Sequence, residues 1–425
     1  MKEWFKTHQN SILPIGLLLL GFLIGLALPS PFFRHEVEEP LVEETPEDFI
    51  DTTNMVIDGG LYTGSITKAD LKRNGYGQYK THVGTDNEAV YEGEWKEDLL
   101  KFGKKTTRNY VYDGRLNAEL DMDGFGIAQY SEAYMEGKSK QGMLDSEIVA
   151  TYIGNWSKNT KQGLGRSVMK DGSMEFGRHS NGSLKKPDGA NYVVGKSVYG
   201  IDASRWQTDI DWNNLALYCD KNGNVLSTPK PDEKIFMQPV FFVYLKATGG
   251  VATKEKMYEV RMIEAKRHGI VRGTYHYLSS QDSVDDQLRN FFGTAQWAPG
   301  DLPPALDLEW KDDTIKKYGA ERMRSMALEW LEKVEERMGV RPIIYTNQPI
   351  WDNYLNDSRF KKYKYWIARY NATGPDRKEW KIWQKSEKGL ISGCKDTIDI
   401  DFYCGDYDAF KQYLESVVKP EQAVE

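Results

Sequence analysis

Cysteine and histidine are scarce in this sequence, and basic residues do not outnumber acidic ones. The three cysteines, Cys219, Cys394 and Cys404, are too few for a disulfide scaffold and lack the paired spacing of a structural zinc site. Cys394 and Cys404 either form one bridge in an oxidising compartment or remain free, buried thiols. The formal net charge of -7, without any block of Lys and Arg, argues against a nucleic-acid partner. We therefore expect no metal, no cofactor and no nucleic acid.

What the chain has in plenty is length and aromatic side chains. At 425 residues it exceeds the usual size of one domain, so we expect two folded units with additional segments. Its 12 Trp and 25 Tyr can fill a substantial core, and they also suit a groove that binds sugar rings. For most of them, core packing is the simpler explanation.

An apolar run near the N-terminus, residues 12–28, contains no charged side chain and reaches the length of the shortest membrane-spanning helices. Lys2 and Lys6 precede it and a Glu-rich stretch follows, so the positive-inside rule keeps the N-terminus in the cytoplasm. We predict a cytoplasmic tip and transmembrane anchor over residues 1–33 and an acidic linker over residues 34–60. The protein is then a single-pass membrane protein whose bulk is extracytoplasmic, in the periplasm or at the cell surface. A cleaved signal peptide is the alternative, but the end of the run offers no good small-residue cleavage site.

Residues 61–186 have a different texture, in which short Tyr-x-Gly segments lead to glycine pairs at intervals of roughly twenty residues. The clearest unit is Tyr-Glu-Gly-Glu-Trp at residues 91–95, whereas residues 134–142 fit poorly. This unit resembles a MORN repeat, and the resemblance implies β-hairpins stacked on one another. We predict an all-β stacked-hairpin domain without catalytic residues. It either binds a protein, lipid or glycan partner or serves as a spacer.

From residue 197 onward, strand patterns alternate with helical patterns. Eight strands are predicted, at residues 197–201, 240–247, 272–278, 304–309, 342–345, 365–368, 381–384 and 397–402. Two helices are predicted at residues 254–268 and 320–338, each followed by a glycine. The alternation predicts an α/β fold, a modified TIM-type β/α barrel over residues 197–418 that lacks some helices in its last third and precedes a tail over residues 419–425. In such a barrel, catalytic groups lie at the carboxyl ends of the strands.

Acidic residues stand at the ends of three of these strands, where apolar residues would be expected. Asp202 closes the first strand, Asp307 and Glu309 close the fourth, and Asp399 lies in the last. Because alternate residues of a strand share a face, Asp307 and Glu309 should point together toward the barrel mouth. Neighbouring carboxyl groups raise one another's pKa, which can keep one protonated near neutral pH as a general acid. Carboxylates on a solvated face would explain one such pair, but not acids at three strand ends with apolar flanks.

A series of motifs, in order along residues 198–407, resembles glycoside hydrolase family 25, the Chalaropsis-type lysozymes. The series opens with Tyr-Gly-Ile-Asp-Ala-Ser-Arg-Trp-Gln at residues 199–207. It continues through Lys246-Ala247-Thr248, Gly273-Thr274-Tyr275-His276-Tyr277, Leu306-Asp307-Leu308-Glu309, Ile344-Tyr345-Thr346, Trp366-Ile367-Ala368-Arg369-Tyr370, Ile382-Trp383-Gln384 and Ile398-Asp399-Ile400-Asp401. Any one motif is weak, but their order over two hundred residues makes the resemblance specific.

The resemblance implies hydrolysis of the β-1,4 bond between N-acetylmuramic acid and N-acetylglucosamine in the glycan strands of peptidoglycan. Glu309 is then the general acid, and Asp202, Asp307 and Asp399 are its partner acids. Family enzymes retain the anomeric configuration, so the nucleophile is Asp399, Asp202 or the substrate's own acetamido group held by Asp307. Aromatic residues at strand ends are expected to line the groove, with core packing as the alternative: Tyr275, Tyr345, Trp366, Tyr370 and Trp383.

The chain departs from the family pattern in three places. Gly249 stands where many members have Glu, and Asp401 stands where Asn is usual. Residues 218–238 form an insertion, which we expect to be a surface loop at the groove edge. The two substitutions could alter contacts in the groove without removing the general acid.

Two other functions fit parts of the sequence. A non-catalytic envelope scaffold could bind a partner through residues 61–186 and grip glycan with its barrel, but a pure binder has no need of four converging acids. A chitinase-like barrel also has an Asp-x-Glu strand, but the motif at residues 199–207 argues against chitin as the substrate.

Overall fold

The computed structural model of the protein describes residues 48–185, 192–207, 209–230, 233–371 and 373–417, all within one compact unit. No helix among these residues is long and apolar enough to cross a membrane. This finding overturns the predicted single-pass membrane localisation and, with it, the membrane partner. The prediction rested on residues 12–28, a run that reaches only the lower limit of about 17 residues for a spanning helix. That run and the tail over residues 419–425 lie outside the described residues.

The first part of the described chain forms one antiparallel sheet of eleven strands in sequential order, which we call the repeat sheet. Its strands are β1 (Phe49–Ile57), β2 (Gly60–Thr67), β3 (Arg73–Thr81), β4 (Ala89–Trp95), β5 (Phe102–Thr107), β6 (Tyr110–Leu116), β7 (Met122–Tyr130), β8 (Val149–Ser157), β9 (Thr160–Met169), β10 (Met174–Ser180) and β11 (Ser183–Leu184). The helix α1 (Glu132–Lys140) connects β7 to β8. The order of the strands is that of successive hairpins, while the MORN resemblance itself stays a prediction.

A row of facing glycines explains how the Tyr-x-Gly pattern builds this sheet. Because alternate residues share a face, each tyrosine lies beside the glycine two positions later and can cross the row. A Cβ atom on Gly77 would stand 2.2 Å from the Tyr62 hydroxyl oxygen, so only glycine leaves room for the ring. The row runs across β2 to β10 through Gly64, Gly77, Gly93, Gly103, Gly114, Gly126, Gly154, Gly165 and Gly177.

Two segments differ from the expectation for this region. β1 falls inside residues 34–60, which the sequence predicts as linker, because its β-branched residues favour a strand and it pairs with β2. The poorly fitting residues 134–142 belong mostly to α1 rather than to a hairpin. The side chain of Ser131 caps this helix by accepting a hydrogen bond from the backbone N–H of Tyr134.

The remaining described chain is built around a closed barrel of eight strands. In chain order they are β12 (Ser197–Ala203), β15 (Phe242–Gly249), β17 (Val271–Tyr277), β18 (Ala305–Asp307), β19 (Ile343–Asn347), β20 (Lys364–Ala368), β21 (Trp380–Gly389) and β23 (Ile398–Asp406). Neighbours in this order pair in parallel as far as β21, and β12 pairs with β15. β23 closes the ring between β21 and β12 and is antiparallel to both. The prediction of an α/β barrel is confirmed.

Helices and short strands surround the barrel. The helices are α2 (Tyr258–Arg267), α3 (Val284–Phe292), α4 (Asp312–Tyr318), α5 (Ala320–Met338), α6 (Gln348–Tyr354) and α7 (Tyr407–Val417). The short strands are β13 (Ala216–Cys219), β14 (Phe236–Pro239), β16 (Thr253–Lys254) and β22 (Ile391–Ser392). In the described chain no helix connects β20 to β21 or β21 to β23, as expected for the last third. The long helix α5 packs Trp330 and Leu331 into the largest cluster of buried residues.

The insertion over residues 218–238 is not a surface loop at the groove edge. Its ends belong to β13 and β14, which pair with each other, and β13 also pairs with β22. Gln238 is fully buried and donates a hydrogen bond from its amide to the Gly223 carbonyl oxygen. Ala216 of this small sheet packs against Leu164 and Phe176 of the repeat sheet, and Met237 of the insertion packs against the same cluster. The insertion therefore helps to join the two parts of the molecule.

The repeat sheet contacts one end of the barrel, the end at which the parallel strands of the barrel begin. The Arg166 guanidinium donates a hydrogen bond to the Gly269 carbonyl oxygen at 3.1 Å, just before β17. The rings of Phe125 and His268 lie 3.8 Å apart between their centroids. Burial lowers the pKa of His268 to about 4, so this imidazole is neutral at physiological pH. The carboxyl ends of the strands, at the opposite end of the barrel, are left uncovered by the repeat sheet.

Candidate active site

A cleft of ≈ 390 Å³ opens at the carboxyl ends of the barrel strands. This is the end at which parallel β/α barrels place their catalytic groups. Its lining is rich in carboxyl groups and aromatic rings: Asp202, Ser204, Trp206, Gln207, Lys246, Tyr275, Tyr277, Asp307, Glu309, Tyr345, Trp366, Tyr370, Gln384, Glu387 and Asp399.

Three carboxyl groups come together from two antiparallel strands, two of them lining one wall of the cleft and the third lying behind it. Asp202 of β12 stands directly opposite Asp399 of β23. Asp401 lies two residues further along β23, on the same face, and is fully buried behind the cleft. The indole N–H of Trp366 donates a hydrogen bond to Oδ1 of Asp401 at 2.7 Å. We refer to Asp202, Asp399 and Asp401 as the carboxyl wall.

The side chain of Gln384 fixes the geometry in front of this wall. Its amide nitrogen donates to Oδ2 of Asp202 at 2.7 Å and to Oδ2 of Asp399 at 3.0 Å. Its amide oxygen accepts from the hydroxyl groups of Tyr345 at 2.9 Å and Tyr370 at 2.8 Å. All four hydrogen-bonding positions of the amide are used, so its orientation is determined by its partners.

Burial, helped by nearby negative charges, raises the pKa of each member of the carboxyl wall. For Asp202, burial is the main cause, followed by the negative charges of Asp399 and Asp401. For Asp399, burial and then the charge of Glu387 raise the pKa to about 7. Burial also raises the pKa of Asp401 well above its usual range. Near neutral pH the wall therefore shares protons instead of holding three negative charges.

The opposite side of the cleft holds Asp307 and Glu309 in unlike environments. β18 ends at Asp307, which is 4% exposed, and Oδ1 of Asp307 has no hydrogen-bond partner among the described residues. Glu309 lies two residues beyond the strand and is exposed to solvent. Burial, then the charge of Glu309, raises the pKa of Asp307 well above its usual range, while the Lys246 ammonium group opposes the shift. The pair thus consists of a buried carboxyl group that favours its proton and a second one that faces solvent.

Aromatic rings line the cleft at two depths. Tyr275, Tyr345 and Trp366 are packed against one another, with Tyr345 and Trp366 ring centroids 4.5 Å apart. Trp206 and Tyr370 lie at the rim, where 78% and 50% of each residue is exposed. An exposed indole beside a polar cleft is a surface on which a sugar ring can stack.

The loop that presents Trp206 is held from below by buried polar groups. The Arg261 guanidinium donates to the carbonyl oxygens of Ser204 and Gln207, the residues on either side of the loop tip. The Gln207 side chain accepts from the Ser204 backbone N–H and donates to the Thr397 carbonyl oxygen at 3.1 Å. The Trp206 ring is therefore exposed on a loop whose backbone is fixed.

All four predicted acids line the cleft, as do Tyr275, Tyr345, Trp366 and Tyr370. Trp383 does not, and this expectation is corrected: its indole N–H donates to the Arg369 carbonyl oxygen at 2.7 Å, and its ring packs outside the barrel mouth beside Phe402. The cause is the alternation of a strand, which turns Gln384 into the cleft and its neighbour Trp383 away from it. Sequence reasoning missed several lining residues, although most lie inside the quoted motifs or beside them: Trp206, Lys246, Tyr277, Gln384 and Glu387.

Other predictions about chemistry can be compared with the same structure. All three cysteines are free, so Cys394 and Cys404 do not form the bridge that the sequence left open. Among the described residues, no group of three or more His, Cys, Asp or Glu side chains is arranged to hold a metal ion.

Opposed carboxyl groups in an aromatic cleft are an arrangement that can cleave a glycosidic bond. The family model for glycosyl hydrolases family 25 matches residues 201–394. The uncharacterized protein YegX of Escherichia coli O6:H1 is 30% identical over 223 residues, which cover 52% of this chain and 75% of that protein. The chain belongs to glycosyl hydrolases family 25 and is a glycoside hydrolase, as its motifs predicted.

Other relatives have established names. Lysozyme M1 of Streptomyces globisporus is 24% identical over 220 residues, covering 49% of this chain and 68% of that protein. N,O-diacetylmuramidase of Arthroderma benhamiae is 25% identical over 170 residues, covering 38% of this chain and 63% of that protein. The crystal structure of the bacterial lysozyme from Streptomyces coelicolor aligns with a TM-score of 0.43 and 24% identity, over 52% of this chain and 98% of that one.

Proposed function

We propose that the protein is a muramidase, which hydrolyses the β-1,4 bond between N-acetylmuramic acid and N-acetylglucosamine in peptidoglycan. The observation that supports it best is the pair Asp307 and Glu309, one buried and one solvent-facing, in the same cleft. Family membership supports hydrolysis of a glycosidic bond. The names of similar proteins, lysozyme and N,O-diacetylmuramidase, indicate the bond.

In this proposal Glu309 is the general acid. A leaving alkoxide needs a proton, and the donor must reach the glycosidic oxygen of a sugar chain lying in the cleft. Glu309 is exposed at the cleft, whereas the members of the carboxyl wall are engaged with Gln384 or Trp366. A carboxyl group without a competing protein partner is the one best placed to give a proton to substrate.

Asp307 has the complementary role of holding the substrate's acetamido group. Its Oδ1 atom is buried and unpartnered within the described chain, which is costly unless substrate supplies a donor. An acetamido N–H is such a donor, and a hydrogen bond from it would turn the acetamido oxygen toward the anomeric carbon. The reaction then retains the anomeric configuration through a cyclic intermediate of the substrate itself.

An enzyme nucleophile is the competing mechanism, with Asp399 or Asp202 attacking the anomeric carbon. Both residues give an oxygen to the Gln384 amide, and a raised pKa keeps them partly protonated near neutral pH. Protonation and engaged oxygens both weaken a carboxylate as a nucleophile. These observations favour the acetamido-assisted route.

Digestion of purified peptidoglycan with the full-length protein, followed by mass spectrometry of reduced fragments, tests the proposed bond. A muramidase leaves N-acetylmuramic acid at every new reducing end. N-acetylglucosamine at the reducing ends would show that the adjacent bond is cut and would refute the proposal. Chitin oligomers serve as the second substrate, and their faster hydrolysis would favour the chitinase-like alternative.

A further inference from the structure

Asp401 is a carboxyl group for which the reaction has no obvious use. It is 0% exposed, lies behind Asp202 and Asp399, and does not line the cleft. Its Oδ1 atom accepts a hydrogen bond from the indole N–H of Trp366, while Oδ2 is buried and receives no hydrogen bond from a donor group in the described residues. Burying a charge with one neutral donor is among the costliest arrangements in a protein interior.

The neighbours of Asp401 add to this cost. The titratable groups that face it are Asp202 on β12, Asp399 on its own strand and Tyr244 on β15. The Tyr244 hydroxyl donates to the Pro303 carbonyl oxygen and is not available to Asp401. Asp202 lies diagonally across the strand pair on the same face, and the charge of Asp401 helps to raise the pKa of Asp202. One carboxyl group can donate a hydrogen bond to another only when it holds a proton.

We propose that Asp401 is a positioning residue, a neutral carboxylic acid whose O–H group donates to Asp202 and holds that side chain in the cleft. Asp202 then receives two donors from neutral groups, the amide of Gln384 and the acid of Asp401. This arrangement fixes the orientation of Asp202 without bringing a positive charge into the wall. A neutral Asp and an Asn amide would each offer Asp202 one hydrogen-bond donor of similar shape, so the proposal would also explain why Asp is tolerated at this position.

Infrared difference spectroscopy of the full-length protein tests the proton directly. At neutral pH the infrared spectrum of wild type minus that of Asp401→Asn should show the carbonyl stretch of a protonated, buried carboxyl group, because the amide has no carboxyl proton to report. Bands from other carboxyl groups whose pKa burial raises, such as Asp307, are common to both proteins and cancel. If the difference spectrum lacks the band, Asp401 is not the protonated group and the inference is wrong. This readout does not depend on the proposed function.

The positioning role rests on the proposed function and is tested by kinetics on peptidoglycan. Asp401→Asn keeps the shape of the side chain and a hydrogen-bond donor. We therefore expect its activity to stay within about threefold of wild type, a smaller effect than losing one hydrogen bond to a charged group would have. Both limbs of its pH-rate profile should stay where they are in wild type. Asp401→Leu removes the donor and should lower kcat by about tenfold to a hundredfold. If Asp401 were ionised, Asp401→Asn would remove a negative charge and move the profile toward lower pH by about one unit or more. Equal activity of the Leu and wild-type proteins would also contradict the role.

A loss of folding in the Leu variant would leave the decision to the Asn variant. Its pH profile and its infrared band are each sufficient to refute the inference. If peptidoglycan is not cleaved by the wild-type protein, the infrared result still decides where the proton lies. Failure of the inference and failure of the proposed function can therefore be told apart.

Discussion

At the scale of single residues, Asp399 lowers the stability of the folded protein as the pH rises. Its pKa rises from 3.8 to about 7 on folding, mainly because of burial. The folded state holds the proton more tightly, so the stabilising contribution is full below pH 3.8 and is lost as the pH rises through about 7. Asp399→Asn removes this dependence. The free energy of unfolding of Asp399→Asn minus that of wild type should therefore be about 2–3 kcal/mol larger at pH 8 than at pH 5.

Urea denaturation at the two pH values measures this difference. Asp313→Asn is the matched control. The Asp313 side chain on α4 is 99% exposed, so burial does not act on its carboxyl group. An equal change for Asp399→Asn at both pH values would mean that Asp399 ionises as freely in the folded protein as in the unfolded chain.

How far the sequence predicts the site depends on the alternation of residues along strands. Asp202, Asp307 and Asp399 were found because acids are unexpected at the ends of apolar strands. Gln384 is not among the predicted site residues, because only the aromatic residue of the motif Ile382-Trp383-Gln384 has a side chain that predicts stacking on sugar. The face that each residue takes is set by the pairing of β21 with β20 and β23, which is long-range information.

At the scale of elements, the glycine row of the repeat sheet should tolerate no side chain beneath a tyrosine. Gly77→Ala places a Cβ atom 2.2 Å from the Tyr62 hydroxyl oxygen, and that ring is fully buried. We expect a loss of about 1–3 kcal/mol in the free energy of unfolding, the usual cost of overpacking. Thermal denaturation followed by circular dichroism measures it.

Gly137→Ala is the matched substitution in the same domain. Gly137 lies in α1, and a Cβ atom there meets nothing within 4 Å. Alanine in an exposed helix should add up to about 1 kcal/mol of stability. If both variants lose stability equally, the tyrosine contacts do not explain the need for glycine in the row.

The elements themselves were predicted with unequal success. Helix α5 begins and ends as predicted, at residues 320 and 338, because glycines stand on both sides of a strongly periodic segment. Helix α2 begins at Tyr258 instead of residue 254, because Thr253 and Lys254 pair with β15 as the short strand β16. The sequence predicts a linker where β1 lies, because the residues around it are acidic and its pairing with β2 is not a local signal.

At the scale of the whole molecule, the repeat sheet and the cleft occupy opposite ends of the barrel. Arg166 connects sheet and barrel through the Gly269 carbonyl oxygen, and its guanidinium lies 5.2 Å from the centroid of the Phe241 ring. Arg166→Ala should lower the free energy of unfolding by about 1–3 kcal/mol, since the partly buried Gly269 carbonyl loses its donor. The kcat on peptidoglycan should stay unchanged, because the contact is remote from the carboxyl ends of the strands.

Calorimetry and initial rates on the same preparations measure both quantities. Arg115 is an exposed residue of β6, and Arg115→Ala is the control for removing a positive charge from the sheet. A drop in kcat for Arg166→Ala at a temperature where the protein is fully folded would show that the repeat sheet influences the cleft. That result would contradict the expectation that the contact is too remote to affect catalysis.

In the proposed reaction Glu309 gives a proton to the leaving sugar, and the dependence of the rate on the leaving group tests this role most directly. Rates of wild type and Glu309→Gln should be compared on peptidoglycan and on an aryl glycoside of the same sugar, whose phenolate leaves without a proton. We predict that the variant loses roughly two to four orders of magnitude on peptidoglycan and far less on the aryl glycoside. An equal loss on both substrates, or near-normal hydrolysis of peptidoglycan by the variant, would contradict the role of Glu309 as the general acid.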